Sequence, residues 1–224
     1  MNAIVGAVFQ KPIQKSRFFY EEFRACEIRT FQYRFAPMED SAVYVSLEFT
    51  PNPNTLKYSV NRKLLEKGAA NFTKKEEAEQ RSPLALKLLN INGISGVMIG
   101  KDFVTITKTE DGDWDHVHRN ASDTIDRHLT AGETVLAEDL AAGIANQNAS
   151  EIEKRIQAFL DEHIRPAVAM DGGDVTLDRF EDGIVYLYMQ GSCAGCPSST
   201  MTLKVGIETK LKEAVPEVIE VVQI

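Results

Sequence analysis

Gly191-Ser192-Cys193-Ala194-Gly195-Cys196-Pro197-Ser198-Ser199-Thr200 is the stretch from which the rest of the chain can be ordered. Ahead of it, Ile184 to Met189 has the β-branched and aromatic content of a strand. Behind it, Thr200 to Ala214 sets Leu203, Ile207 and Leu211 on one helical stripe. The loop therefore joins a strand to a helix. Pro197 follows the second cysteine, and Ser198, Ser199 or Thr200 can cap the helix. Cys196 is thereby placed near a positive helix end, whose unpaired N–H groups favour a thiolate. Gly191 and Gly195 suit either ordinary turns or a close backbone approach to a bound group. A C-x-x-C pair alone is divided among a redox dithiol, a pair of metal ligands and chance.

Outward from the loop, Val175 to Phe180 and Ile184 to Met189 flank Glu181-Asp182-Gly183, a three-residue hairpin connection. Ser150 and Glu153 form an S-x-x-E capping box ahead of Ile152, Ile156, Phe159, Leu160 and Ile164 at helical spacing. Val218 to Ile224 reads as a closing strand. Residues 150–224 are thus expected to form a three-stranded sheet covered by two helices. Residues 131–149, with Gly132, Gly143 and few large apolar anchors, read as a linker. Further upstream, Val43, Val45, Leu47 and Phe49 alternate as a strand. Pro51-Asn52-Pro53-Asn54 forces a turn, and Leu56, Tyr58 and Val60 resume the alternation. One helix is expected in Lys74 to Leu89, a hairpin over Val97 to Thr107, and a helix over Trp114 to Leu129. The fold class is α+β, with two small α+β domains at 38–130 and 150–224.

Composition bounds the function. The 224 residues are 43% apolar and 26% charged, with a net charge of -8 and a pI near 5.1. That balance argues against a nucleic-acid binder that grips the backbone. No apolar run approaches the ~18 residues that span a bilayer, so an integral membrane protein is excluded. Three cysteines cannot build a dense disulfide framework, and the cytoplasm is the default compartment. Residues 1–37 stand apart, with six basic and three acidic side chains, a net +3 that leaves -11 for the remainder. They are an N-terminal extension. If they are a transit peptide, the compartment becomes the mitochondrial matrix, although such leaders are usually poor in acids.

Coordination arithmetic narrows the chemistry. Iron-sulfur clusters and tetrahedral zinc commonly take four ligands, and the loop supplies two. Cys26 lies in the N-terminal extension, a domain away. The missing ligands come most simply from a second copy, so that Cys193 and Cys196 of each of two chains meet on an axis and hold one four-iron cluster. His116 and His118 are one residue apart on a helix and point apart, and with His128 and His163 they read as solvated or capping rather than ligating. Asp171-Gly172-Gly173-Asp174 lacks EF-hand spacing and the P-loop lysine, and reads as a tight helix-to-strand turn. No Ser-His-Asp set, G-x-S-x-G elbow or zincin motif is present, so the chain is not expected to be an enzyme.

Several of these residues carry a family resemblance. Arg165-Pro166, Met170-Asp171-Gly172-Gly173-Asp174, Gly191 to Ser199 and Thr202-Leu203-Lys204-Val205-Gly206-Ile207-Glu208 resemble the C-terminal domain of NifU and the Nfu-type iron-sulfur scaffold proteins. Thr50 to Tyr58, Ser82-Pro83-Leu84-Ala85, Gly100 to Lys108 and Trp114 resemble the N-terminal domain of the two-domain Nfu proteins. The resemblance spans about residues 41–224. It implies a labile [4Fe-4S] cluster held between two chains by Cys193 and Cys196, received from upstream assembly machinery and passed to apo iron-sulfur proteins. Residues 41–130 would be a recognition or stability module. After Trp114 the family often continues with an apolar, proline-containing segment, where this chain has Asp115-His116-Val117-His118-Arg119. Two alternatives use the same residues. A thiol-disulfide oxidoreductase would attack with Cys193 and resolve with Cys196, but the expected setting lacks a thioredoxin-like βαβ unit. A zinc-binding interaction module would be colourless.

Overall fold

The computed structural model describes residues 42–137, 150–195 and 197–224, with the side chains of residues 197–200 excepted. The extension at 1–37, Cys26, linker positions 138–149, Cys196 and the expected caps Ser198, Ser199 and Thr200 lie outside these described residues or side chains. The architecture is α+β. Asp40–Ile224 is one compact unit with two hydrophobic cores, one per sheet.

The first sheet is antiparallel and runs in the order β1-β2-β5-β4-β3, from β1 (Val45–Phe49), β2 (Thr55–Val60), β3 (Ala70–Phe72), β4 (Ile94–Ile99) and β5 (Phe103–Lys108). Two short helices, α1 (Lys75–Arg81) and α2 (Pro83–Leu89), occupy the segment where the sequence reading expects one. Ser82 divides them. Its backbone N–H closes α1 on the Ala78 carbonyl, and its hydroxyl accepts from the Ala85 N–H to open α2, with Pro83 in the first turn. The short strand β3 is also new to the reading, three residues being too few to show a period. α3 (Trp114–Thr130) starts at an Asp113 cap and packs Val117, Ala121, Ile125 and Leu129 onto the sheet.

Strand pairing puts one row of side chains on the sheet face opposite these helices. Lys57 pairs with Thr105, and Thr105 with Met98, so the three lie side by side across β2, β5 and β4. All three are buried, and what covers them is the second sheet's domain. Lys57 Nζ donates to the Met170 carbonyl at 3.1 Å and Thr105 Oγ1 to the Gly172 carbonyl at 2.7 Å.

The C-terminal part holds a three-stranded sheet in the order β6-β7-β8, from β6 (Gly173–Glu181), β7 (Ile184–Gly191) and β8 (Glu220–Gln223). Asp182 and Gly183, with φ of 49° and 83°, make a two-residue turn between β6 and β7, one residue tighter than expected from the sequence. α4 (Glu151–Phe159) begins at the Ser150–Glu153 capping box. A π turn (Leu160–Ile164) then leads into α5 (Arg165–Met170), where Pro166 has no N–H to continue the regular ladder. Arg165 reaches back to β6, with Nε and Nη2 each 2.8 Å from the two Asp174 oxygens. α6 (Pro197–Ala214) crosses from β7 to β8, and these two strands are parallel. The sequence reading places the cysteine pair outside a βαβ unit. The structure places Cys193 just ahead of the helix of one, because strand direction leaves no mark on side-chain periodicity.

His128, read from sequence as solvated or capping, is 1% exposed. Its Nε2 lies 3.1 Å from the Thr134 carbonyl and its Nδ1 3.3 Å from Lys87 Nζ. Burial, against the opposing bond to Thr134, holds its pKa below the ordinary imidazole value. The unfolded chain thus takes up this proton first as pH falls. The stabilisation from neutral His128 is complete above about pH 6.5 and is lost as pH falls from there towards the folded-state pKa. Urea midpoints should drop between pH 7.5 and pH 5.5, and His128→Gln, which can keep the bond to Thr134, should flatten that drop. An equal drop in the variant would remove His128 as its source.

Candidate functional site

The loop leaves β7 at Gly191, whose φ of 60° is ordinary for glycine alone. A Cβ there would come within 2.6 Å of the Gly172 carbonyl and 2.7 Å of Met98 Cε. The backbone then coils tightly. Ser192 N–H donates to Gly172 O at 3.1 Å, Cys193 N–H to Gln190 O at 3.2 Å and Ala194 N–H to Gly191 O at 3.2 Å. Gly172 sits in the Asp171–Asp174 turn with φ of 77°, so that motif is the tight helix-to-strand turn expected from sequence, and it cradles the loop. A Cβ at Gly173 would fall on Cys193 Sγ.

Cys193 is therefore packed, not displayed. It is 6% exposed and belongs to the C-terminal core. Burial pushes its thiol up to about 11. A hydrogen bond involving Ser192 acts the other way, and the charges of Asp171 and Asp174 raise it further. A cluster ligand must reach iron as a thiolate, whereas the burial of Cys193 favours the protonated thiol. Its sulfur packs against Gly173 within its own domain, and Asn52 of the β1–β2 turn lies over the loop backbone, 3% exposed, its Nδ2 2.8 Å from Ala194 O and 3.4 Å from Ser192 O.

Beside the loop, a cavity of about 580 Å³ is lined by Cys193, Ser192 and Asp171, by His163 and Val168, and by Leu203 and Lys210 of α6, among others. Pro51 reaches its rim from the first sheet's domain. Of the other histidines, His118 bonds Tyr58 through Nδ1 at 3.1 Å and His116 sits beside Asn120, so the pair do point apart. Among the described residues no cluster of three or more His, Cys, Asp or Glu is placed to hold a metal ion, and no helix is long and apolar enough to cross a membrane. The soft donor here is Cys193 with its sequence neighbour Cys196, a donor type that suits iron-sulfur clusters or zinc.

Comparison with known proteins gives two family matches, a "NifU-like domain" over residues 156–222 and "Scaffold protein Nfu/NifU N terminal" over 45–132. The human "NFU1 iron-sulfur cluster scaffold homolog, mitochondrial" is 40% identical over 184 residues, which are 81% of this chain and 72% of that protein.

The chain belongs to the Nfu family of NifU-like scaffold proteins.

Another Nfu relative, "NifU-like protein 4, mitochondrial" of Arabidopsis thaliana, is 36% identical over 193 residues, 84% of this chain and 68% of that protein. Among solved structures, a NifU-like protein from Saccharomyces cerevisiae matches at 24% identity with a TM-score of 0.40, covering 45% of this chain and 89% of that one. Sequence reasoning on this Nfu chain did not assign Asn52, Thr105 or Gly172 to the site. The signal for Asn52 was present in part, since Pro51 and Pro53 fix its turn, but nothing local says what the turn meets.

Proposed function

We propose that this protein is a non-catalytic iron-sulfur carrier, holding a [4Fe-4S] cluster between two copies of the chain through Cys193 and Cys196 of each. The cluster is its cargo. It is taken from upstream assembly machinery and handed to apo iron-sulfur proteins. The observation that carries this reading is the C-x-x-C at the head of α6 in a chain of the Nfu family. Two thiols per chain leave a four-thiolate cluster half-ligated, so a second copy completes it. In transfer, an acceptor thiolate displaces each cysteine from iron, and the freed cysteine sulfur takes up the proton that the acceptor thiol lost. A site with two ligands per chain favours such release over permanent residence.

A redox dithiol is supported less, although the βαβ setting suits it. An attacking cysteine needs a lowered thiol pKa, and Cys193 has a raised one. Of the two compartments compatible with the sequence, the matrix is favoured by the mitochondrial names of the relatives. The first sheet's domain is the recognition or stability module.

Anaerobic reconstitution with iron and sulfide tests the reading. The expected product is brown, dimeric by native mass, and contains about four irons and four sulfides per dimer. A colourless monomer after the same treatment would overturn it and turn attention to the dithiol and zinc alternatives.

A further inference from the structure

The Thr50–Asn54 turn is built around one side chain. Pro51 and Pro53 have no N–H to donate. The Asn52 carbonyl is occupied by the Thr55 N–H at 3.0 Å and by the hydroxyls of Thr50 and Thr55 at 2.9 and 3.2 Å. Its Oδ1 accepts the Asn54 N–H at 3.0 Å. The carbonyl and Oδ1 of Asn52 are thus committed to shaping the turn. The NH2 group faces the other domain, between the carbonyls of Ser192 and Ala194, the residues immediately before and after Cys193.

The contacts behind Asn52 hold the same face shut. Thr105 grips Gly172 O, the acceptor that also anchors Ser192, and Met98 lies against Gly191. The cysteine loop is therefore fastened on both sides by the first sheet's domain. In this arrangement Cys193 is 6% exposed, and a loop fastened in this way does not swing its thiol out towards a second copy or an acceptor.

We infer that the β1–β2 turn is a cover on the cysteine loop and that Asn52 is the positioning residue that keeps it closed, so that cluster loading and release both require this contact to part. The inference rests on the carrier reading for its biological meaning, but its test does not. Asn52→Asp is the selective variant. It keeps an oxygen for the Asn54 N–H, and so the turn, while replacing the NH2 donor with a carboxylate facing two carbonyls.

The experiment is residue-resolved labelling of the cluster-free, full-length chain with N-ethylmaleimide, read at Cys193 by mass spectrometry, with melting temperature measured alongside. Asn52→Asp should label Cys193 about tenfold faster than the unmodified chain, the equivalent of one lost hydrogen bond. The melting temperature should fall by only a few degrees, as a loss of about 1.4 kcal/mol from the closed state predicts. Thr105→Val, which removes the grip on Gly172 without touching the turn, should act in the same direction and serves if Asn52→Asp fails to fold. Unchanged labelling in the folded variants would overturn the cover. So would a lowered melting temperature without selective gain at Cys193, since that is what a merely structural asparagine predicts. Accelerated labelling in a protein that never binds a cluster would leave the cover standing and overturn the carrier reading instead.

Discussion

Replacing Cys193 with alanine is expected to bring iron and sulfide in the reconstituted protein down to background, and Cys196→Ala should do the same. Cys26→Ala should change neither. The argument is one of ligand count: two chains that each lose one thiolate leave two of the four that a cubane cluster needs. The fold should survive. Cys193 packs as a small buried group against Gly173, and removing one sulfur from such a place costs about 1 kcal/mol. Far-UV circular dichroism and a urea titration, run beside the iron and sulfide analysis, separate loss of ligand from loss of structure. Full cluster yield in either C-x-x-C variant would sink the assignment of that cysteine.

The second large effect is expected at Gly191. Valine there must adopt a φ near 60° and bring its Cβ within 2.6 Å of a backbone carbonyl that is itself held by Thr105 and Ser192. Neither the β-branched side chain nor the fixed carbonyl can yield cheaply. Backbone strain and overpacking together should destabilise the protein by roughly 3 kcal/mol. Gly195 is the internal control. Its φ is 77°, but a Cβ there would meet nothing within 4 Å, so Gly195→Ala should cost only about 1 kcal/mol from the backbone alone. Urea midpoints of the two variants decide the matter. If Gly191→Val loses no more than Gly195→Ala, then Gly191, Gly172 and Met98 do not approach one another in solution as they do here.

What could be read in advance followed local chemistry. The Ser150–Glu153 box, the alternation through β1 and β2, the turn before Phe103 and the stripe of Leu203, Ile207 and Leu211 each carry their signal within a few residues, and each element is present. Ser82 was legible as a helix start but not as a stop, because its backbone N–H and its hydroxyl serve different helices. The parallel placement of β8 could not be read, since parallel and antiparallel strands share one side-chain period. At the site, the loop and its two cysteines stood out by spacing and by their glycines and proline. The burial of Cys193 did not, because it depends on Gly173 and the C-terminal core closing around the sulfur, while the loop backbone is fixed by Asn52, 141 positions away in sequence and carried by another sheet. Lys57, Thr105 and Met98 look like an unremarkable mixture until the register of β2, β5 and β4 lines them up.

Because Asn52 and the loop it closes over belong to one polypeptide, any incoming protein competes with a neighbour that never diffuses away. The apparent affinity of a partner for the cysteine loop is its intrinsic affinity multiplied by the fraction of molecules standing open. A contact that holds the loop closed in 99 molecules of 100 would weaken every partner about a hundredfold alike. A partner that also engages the first sheet's domain can recover that loss by drawing the turn away. Discrimination among partners can then reside in a surface that never touches iron.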